Sequence, residues 1–118
     1  MAKEQPGFME SVVAGADLST AQFKYVKLNT SGQIVLALEA DIAYGILQDK
    51  PKQNSAGNVM RMGVSKVITA AGTTKADRGG SDDNGLFKIN ASNINAMVYD
   101  DSDNANGIAT VSFNCMGK

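Results

Sequence analysis

The stretch "YGILQDKPKQNSAGNVMRMGVSKV", Tyr44 to Val67, decides the fold. Its short apolar run, Tyr44 to Leu47, ends in a polar turn at Gln48–Pro51 and a flexible loop at Asn54–Asn58. Tyr44 and Ile46 share one face, and Pro51 closes the turn because it has no N–H to give to a ladder. A second run begins at Val59, and from there every second residue changes face. Met60, Met62, Val64 and Ile68 fall on one side, and Val59, Arg61, Ser65 and Val67 on the other. Lys66 interrupts the first set, which is what a strand leaving the core for an edge would show. The stretch reads as two strands, and it carries no obvious reactive group.

Working outward, "FKYVKL" (Phe23 to Leu28) is a strand rich in β-formers, and "NTSGQ" follows it with Gly32 placed for the positive φ of a tight hairpin. "IVLAL" is the partner strand, with Ile34, Leu36 and Leu38 on one face. Ahead of them, "ADLSTAQF" reads as one helical turn, with Asp17 or Ser19 as its cap and Ser19 and Gln22 at capping-box spacing. Downstream, residues 71–85, "AGTTKADRGGSDDNG", are loop chemistry throughout, with Gly79–Gly80 and Asn84–Gly85 as turn signals. Strands resume at "LFKIN", "NAMVY" and "GIATVSF", giving seven to nine short strands with almost no helical period. The expected fold is all-β: a compact antiparallel β-barrel or sandwich of short strands, with an N-terminal arm and at most one helical turn. Residues 1–11 form the arm and 12–118 a single β domain. Pro6–Gly7 keeps the arm out of a helix or central strand, and Phe8 and Met9 are its apolar residues. The arm is either a frayed end or a tether that orders on a partner with Phe8 and Met9 as anchors.

Composition excludes much. The 118 residues suit one domain, and 43% apolar content rules out wholesale disorder. Aromatics are only 6% and Trp is absent, so a lone monomer has few large anchors and self-association would supply buried area. With 11 basic and 12 acidic residues, scattered along the chain, there is no clustered positive charge for nucleic acid or anionic lipid. The start "MAKEQPGFMESVV" lacks the apolar core of a signal peptide, and the longest apolar run, Ile34 to Leu38, is far too short to span a bilayer. The expectation is a protein made in the cytoplasm, with neither a nucleic-acid nor a membrane partner. The single cysteine, Cys115, forms no intrachain disulfide and reads as a small hydrophobe at a strand end. With no His, a Cys–His nucleophile is excluded.

Two acidic loops are the places where chemistry could hide. In "YDDSDNANG", Tyr99 to Gly107, Asp100, Asp101 and Asp103 supply oxygen donors of the kind Ca²⁺ takes. Against the EF-hand template the match fails at both ends, with Ser102 at the first ligand position and Phe113 at the last. An Asp/Asn-rich turn that caps its own backbone is the commoner use of such residues, and a looser metal site there stays open. "SDDNG", Ser81 to Gly85, fails the same template. Neither loop offers the buried, pKa-raised carboxyl that glycoside hydrolysis needs, and no P-loop or GxGxxG occurs. The chain is expected not to be an enzyme and to carry no cofactor.

The order "ADLSTAQFKYVKL", "GQIVLA" hairpin, Gly–aliphatic–aliphatic–Gln–x–x–Pro block at Gly45–Pro51, "GVSKV" at Gly63–Val67, "AAG", acidic turn and final strand "GIATVSF" resembles the small capsid cement, or decoration, proteins of tailed bacteriophages. The similarity runs from Val12 to Phe113. It departs after "AAG", where the family tends to a Gly–Asp turn followed by an aliphatic residue and this chain has Ala76–Asp77–Arg78. The loop at 73–85 is therefore expected to be longer or differently aimed.

The resemblance implies a compact β fold, a homotrimer, binding to the major capsid protein on the outside of a phage head, and no catalysis. On that reading Met60, Arg61, Met62 and Lys66 are candidates for a trimer or capsid interface. The alternative is a head-surface or fibre module that binds host-surface glycans through loops 71–85 and 99–107, for which Tyr99 is the one loop aromatic available for stacking.

Overall fold

The computed structural model describes residues 8–73, 75–89, 91, 93–100 and 107–114. Its strands are β1 (Phe8–Val13), β2 (Tyr25–Leu28), β3 (Ile34–Leu36), β4 (Gly45–Leu47), β5 (Ala56–Ile68), β6 (Arg78–Ser81), β7 (Phe87–Ile89), β8 (Ala96–Asp100) and β9 (Ile108–Asn114). They form one antiparallel nine-stranded sheet in the order β3-β2-β4-β5-β9-β8-β6-β7, with β1 added beside β5. The sheet curls into a half-barrel. Isolated parallel bridges tie Ala14 to Ile34 and Thr69 to Phe87, so β3 and β7, the two ends of the strand order, are each held by a neighbouring loop. Covering edges in this way removes templates for unwanted strand pairing.

Strand β5 is the spine. Its first half pairs with β4 (Leu47 opposite Val59, Ile46 opposite Met60) and with β1 (Met9 opposite Met60, Phe8 opposite Met62). Its second half pairs with β9 from Met62–Asn114 to Ile68–Ile108. Two cores lie on opposite faces of the curled sheet. One gathers Ala14, Leu18, Ala21, Val26, Ile34, Leu47 and Val59; the other is built on Tyr25, Ile46, Val67, Phe87, Val98, Val111 and Phe113. Neighbours in sequence serve opposite cores: Tyr25 and Val26, Ile46 and Leu47. Strands β2 and β4 are thus apolar on both faces because both faces are buried.

The alternation expected along β5 breaks in the middle. Val59 and Val67 have the same parity, yet they belong to different cores. The change falls at Arg61–Gly63, where the ladder to β1 slips by one residue opposite Arg61 and Gly63 takes φ 130°. A one-residue bulge exchanges the two faces of a strand, so no single period describes all of β5.

Other expectations need correction. "ADLSTAQF" forms tight turns rather than a helical turn: the Ala21 N–H donates to Leu18 O at 3.0 Å and the Lys24 N–H to Ala21 O at 3.1 Å. Gln22 does not reach back to Ser19; its side-chain amide donates to Gln48 O at 3.0 Å. Among the described residues there is no helix. Strand β3 stops at Leu36, and Leu38 sits exposed in a turn that the Asp41 carboxylate closes by accepting the Leu38 N–H at 3.0 Å.

The 71–85 region is not loop throughout, because Arg78–Ser81 is strand β6. Gly79 and Gly80 are glycines for clearance rather than for a turn: a Cβ would lie 2.0 Å from Lys88 O and 1.9 Å from Asn93 O, respectively. The turn expected at Asn84–Gly85 is present, with Asp82 Oδ1 accepting N–H bonds from Asn84 and Leu86. The expected arm of residues 1–11 overlaps β1, whose ladder with β5 starts at Phe8.

Candidate assembly surface

The block "GILQDKP" turns out to be a clasp. Gly45 passes so close to β5 that a Cβ would lie 2.3 Å from Val59 Cγ1. Gln48 donates its amide to Ile46 O at 3.0 Å and to Ser65 Oγ at 2.8 Å, which satisfies the buried Ser65. The Asp49 carboxylate accepts the Asn58 N–H, and buried Pro51 packs over Gly57. Gln48 and Asp49 thus tie the end of β4 to β5.

Of the interface candidates, the structure brings four into one neighbourhood. Met9 lies across from Met60 and Phe8 from Met62, so the arm residues and the β5 methionines are cross-strand neighbours. They differ in burial. Met60 is 8% exposed and belongs to the interior, whereas Met62 is 41% exposed and Met9 is similarly open. Of Phe8 the backbone alone is described.

Arg61, at the bulge, is committed inward. Its guanidinium stacks 3.8 Å above the Tyr44 ring, its Nε donates to Tyr44 O at 3.0 Å, and it pairs with Glu10 at 3.5 Å. The Tyr44 hydroxyl donates to the same Glu10 carboxylate. Partial burial, and then the bond to Glu10, raise the Tyr44 pKa above its ordinary value. This trio ties β1 to β4 and β5. Lys66 stands apart from it, exposed, with its ammonium 5.9 Å from the Phe23 ring.

Exposed apolar side chains that the sequence reading did not single out complete the surface: Met97 on β8, Ile108 on β9, and Leu38 and Ile42 in the turn after β3. Ile42 is 76% exposed, more than any other large apolar side chain described. The signal available in the sequence was alternation in "NAMVY" and "GIATVSF", but which face is bare depends on what packs against it.

For the acidic loop, Asp101 and Asp103 lie outside the described residues, and of Asp100 the backbone is described, paired with Thr110. Cys115 is also outside them. Among the described residues no group of three or more His, Cys, Asp and Glu side chains converges as a metal site would need. No described helix is long and apolar enough to cross a membrane. Some described polar side chains of the loops serve their own turns, as Asn29 Oδ1 does for the N–H groups of Ser31 and Gln33, both at 2.9 Å, and others bridge to distant segments, as the Asn93 amide does to Glu39 O and Asp41 O.

The fold defined here is an all-β, curled nine-stranded sheet around two cores. No protein-family profile matches the chain, and no curated protein sequence does. Among known structures it is similar to the head fiber gp8.5 N base of bacteriophage phi29, with TM-score 0.69 and 10% identity over 95% of this chain and 96% of that one. At that identity the two share a fold.

Proposed function

We propose that this chain is a non-catalytic structural protein of a bacteriophage head. In this reading it binds the outside of the shell as a homotrimer and, as a decoration or cement protein, holds neighbouring major capsid subunits together. The observation that carries the reading is a fold shared, over nearly the whole of both chains, with a protein that is itself a phage head fiber base. The ordered resemblance to capsid cement proteins supports the same location by a separate route. The polar chemistry described fits a scaffold: Gln48, Asp49, Asp82 and Arg61 are spent on turns and inter-strand ties. Net charge of −1 supports a protein partner rather than nucleic acid or a membrane surface.

A second reading, the base of a head fibre, is favoured by the nature of the structural neighbour. Both place the chain on the head surface, and they differ in copy number. Quantitative mass spectrometry of purified virions separates them. A copy number close to that of the capsid subunit supports cement, and a few copies per particle support a fibre base. Absence from virions removes both.

A further inference from the structure

The two ends of the strand order, β3 and β7, are each met by a neighbouring loop, but β1 is not. Among the described residues β1 pairs with β5 and with no other strand. Its inner and outer sides can be told apart. The Ala14 N–H donates to Ser55 O at 2.8 Å, and Ala14 O accepts the Asn54 N–H at 2.9 Å, so Ala14 turns its backbone groups toward the β5 side. These groups alternate in direction along a strand, so Val12 and Glu10 also face β5, while Val13, Ser11 and Met9 face away. The slip in register falls before Met9, so this run is regular. Among the described residues the outward N–H and C=O groups of Met9, Ser11 and Val13 have no backbone partner. Such an open row is a template for another strand.

Edges that must stay free are blocked by Lys, by Pro or by charge. The sequence of β1, "FMESVV", has no Lys, Arg or Pro. Its one charged residue, Glu10, reaches Arg61 and Tyr44, while Met9, Ser11 and Val13 are exposed. The sequence also selects what pairs with it. With a second copy laid antiparallel and Ser11 opposite Ser11, Met9 opposes Val13 in both directions. Apolar then meets apolar and hydroxyl meets hydroxyl, pairings that stabilise adjacent strands. Glu10 falls opposite Val12, so no like charges meet. The three outward residues of each copy all exchange bonds in this register, about six N–H···O=C bonds in all. Shifting by two residues sets Ser11 against Met9 or Val13 and leaves an end unpaired.

We infer that β1 is a self-pairing edge: two copies of this chain join antiparallel through β1 about a two-fold axis, with Ser11 at the axis. The contact is isologous, the same patch on both copies. It goes beyond the homotrimer reading, because a two-fold contact cannot close a ring of three. In a trimeric assembly it links chains of neighbouring trimers. One strand pair falls at the low end of interface sizes, under about 1,200 Å², so it is a weak contact that forms at high chain concentration.

The test replaces Cys115, the single cysteine, with Ser and adds one new cysteine at a time. Ser11→Cys sets two thiols opposite one another across the axis, at the Cα separation of about 5.5 Å of a hydrogen-bonded pair, within disulfide range. Val13→Cys, also on the exposed side of β1, sets them about 13 Å apart along the strands, out of range. Under mild oxidation at high chain concentration, Ser11→Cys should give a disulfide-linked two-chain species on non-reducing electrophoresis, at about tenfold the yield of Val13→Cys or more. Separately, Ser11→Lys brings two ammonium groups face to face. It should halve the mass that light scattering gives for the wild type at the same concentration, with an unchanged far-ultraviolet circular dichroism spectrum. Equal linkage at both positions, linkage at neither, or an unchanged mass in Ser11→Lys overturns the inference. Each of those results leaves the head-protein reading standing, since it rests on other residues.

Discussion

Met60 and Met62 sit two residues apart on one strand and live in different worlds. Met60 has β4 on one side and β1 on the other and is 8% exposed; Met62, past the bulge, is 41% exposed on a bare face. The first half of β5 is the anchor of the fold, clasped by Gly45, by the Gln48 N–H donated to Asn58 O, and by the Arg61–Tyr44–Glu10 trio. The second half buries one face against the Phe87–Phe113 core and leaves the other open. A long strand that changes its buried face midway can therefore serve stability at one end and offer a surface at the other. Side-chain chemistry alone does not separate the two roles; the neighbours do.

The largest effect should come from filling the clearance at the anchor. In Gly45→Ala the new Cβ meets Val59 Cγ1 at 2.3 Å and Met60 O at 2.6 Å, so β4 must move off β5. A loss of about 3 kcal/mol or more in urea unfolding is expected, at the severe end for overpacking. A loss under about 1 kcal/mol would mean the two strands are not locked together.

The methionine pair tests the contrast itself. Met60→Ala should cost about 2–5 kcal/mol, as deletion of a buried methionine side chain does, while Met62→Ala should stay within about 0.5 kcal/mol. Equal costs in the same unfolding assay would erase the distinction between the two halves.

A smaller effect is expected at the tie to β1. Glu10 is partly exposed, so its pair with Arg61 is screened, and Glu10→Gln should lower stability by about 1 kcal/mol or less. If the trio acts as a unit, Glu10→Gln and Tyr44→Phe should cost less together than the sum of their separate losses. Strict additivity in a double-mutant cycle would show that the hydroxyl–carboxylate bond contributes nothing.

The smallest effect concerns acid. Asp41 has its pKa lowered first by the Leu38 N–H and then by Lys27, and Asp17 has its own lowered by hydrogen bonds from Ser19. A folded-state pKa below the unfolded value near 3.9 means the stabilisation is complete above about pH 5 and is lost as pH falls through the folded value. The melting temperature should therefore fall between about pH 4 and pH 2, and less steeply in Asp41→Asn than in the wild type. Identical slopes for the two proteins would remove Asp41 from the account.

Much of this architecture is legible from local signals. Gly32 in "NTSGQ" takes φ 76°, Asn84–Gly85 turns where expected, and β4, β7, β8 and β9 fall close to where alternation and turn residues place them, whereas β5 begins at Ala56, inside the loop expected at Asn54–Asn58. What escapes is what distant backbone imposes. Gly79 and Gly80 look like a turn pair until Lys88 and Asn93 are seen passing within 2 Å of their missing Cβ positions. Nothing local announces that Phe8 and Met9 pair with β5. The partners of Arg61, Tyr44 and Glu10, are 17 and 51 residues away in sequence, and no local pattern announces them. Ile42 and Met97 are ordinary apolar letters whose exposure depends on the finished sheet.

The most direct measurement of the central claim is binding of the purified chain to phage heads that lack it, followed by cosedimentation. The account predicts saturable retention at a fixed ratio to the capsid subunit, and heads that withstand a higher temperature before releasing their DNA. A chain that stays in the supernatant with intact heads across micromolar concentrations would contradict it.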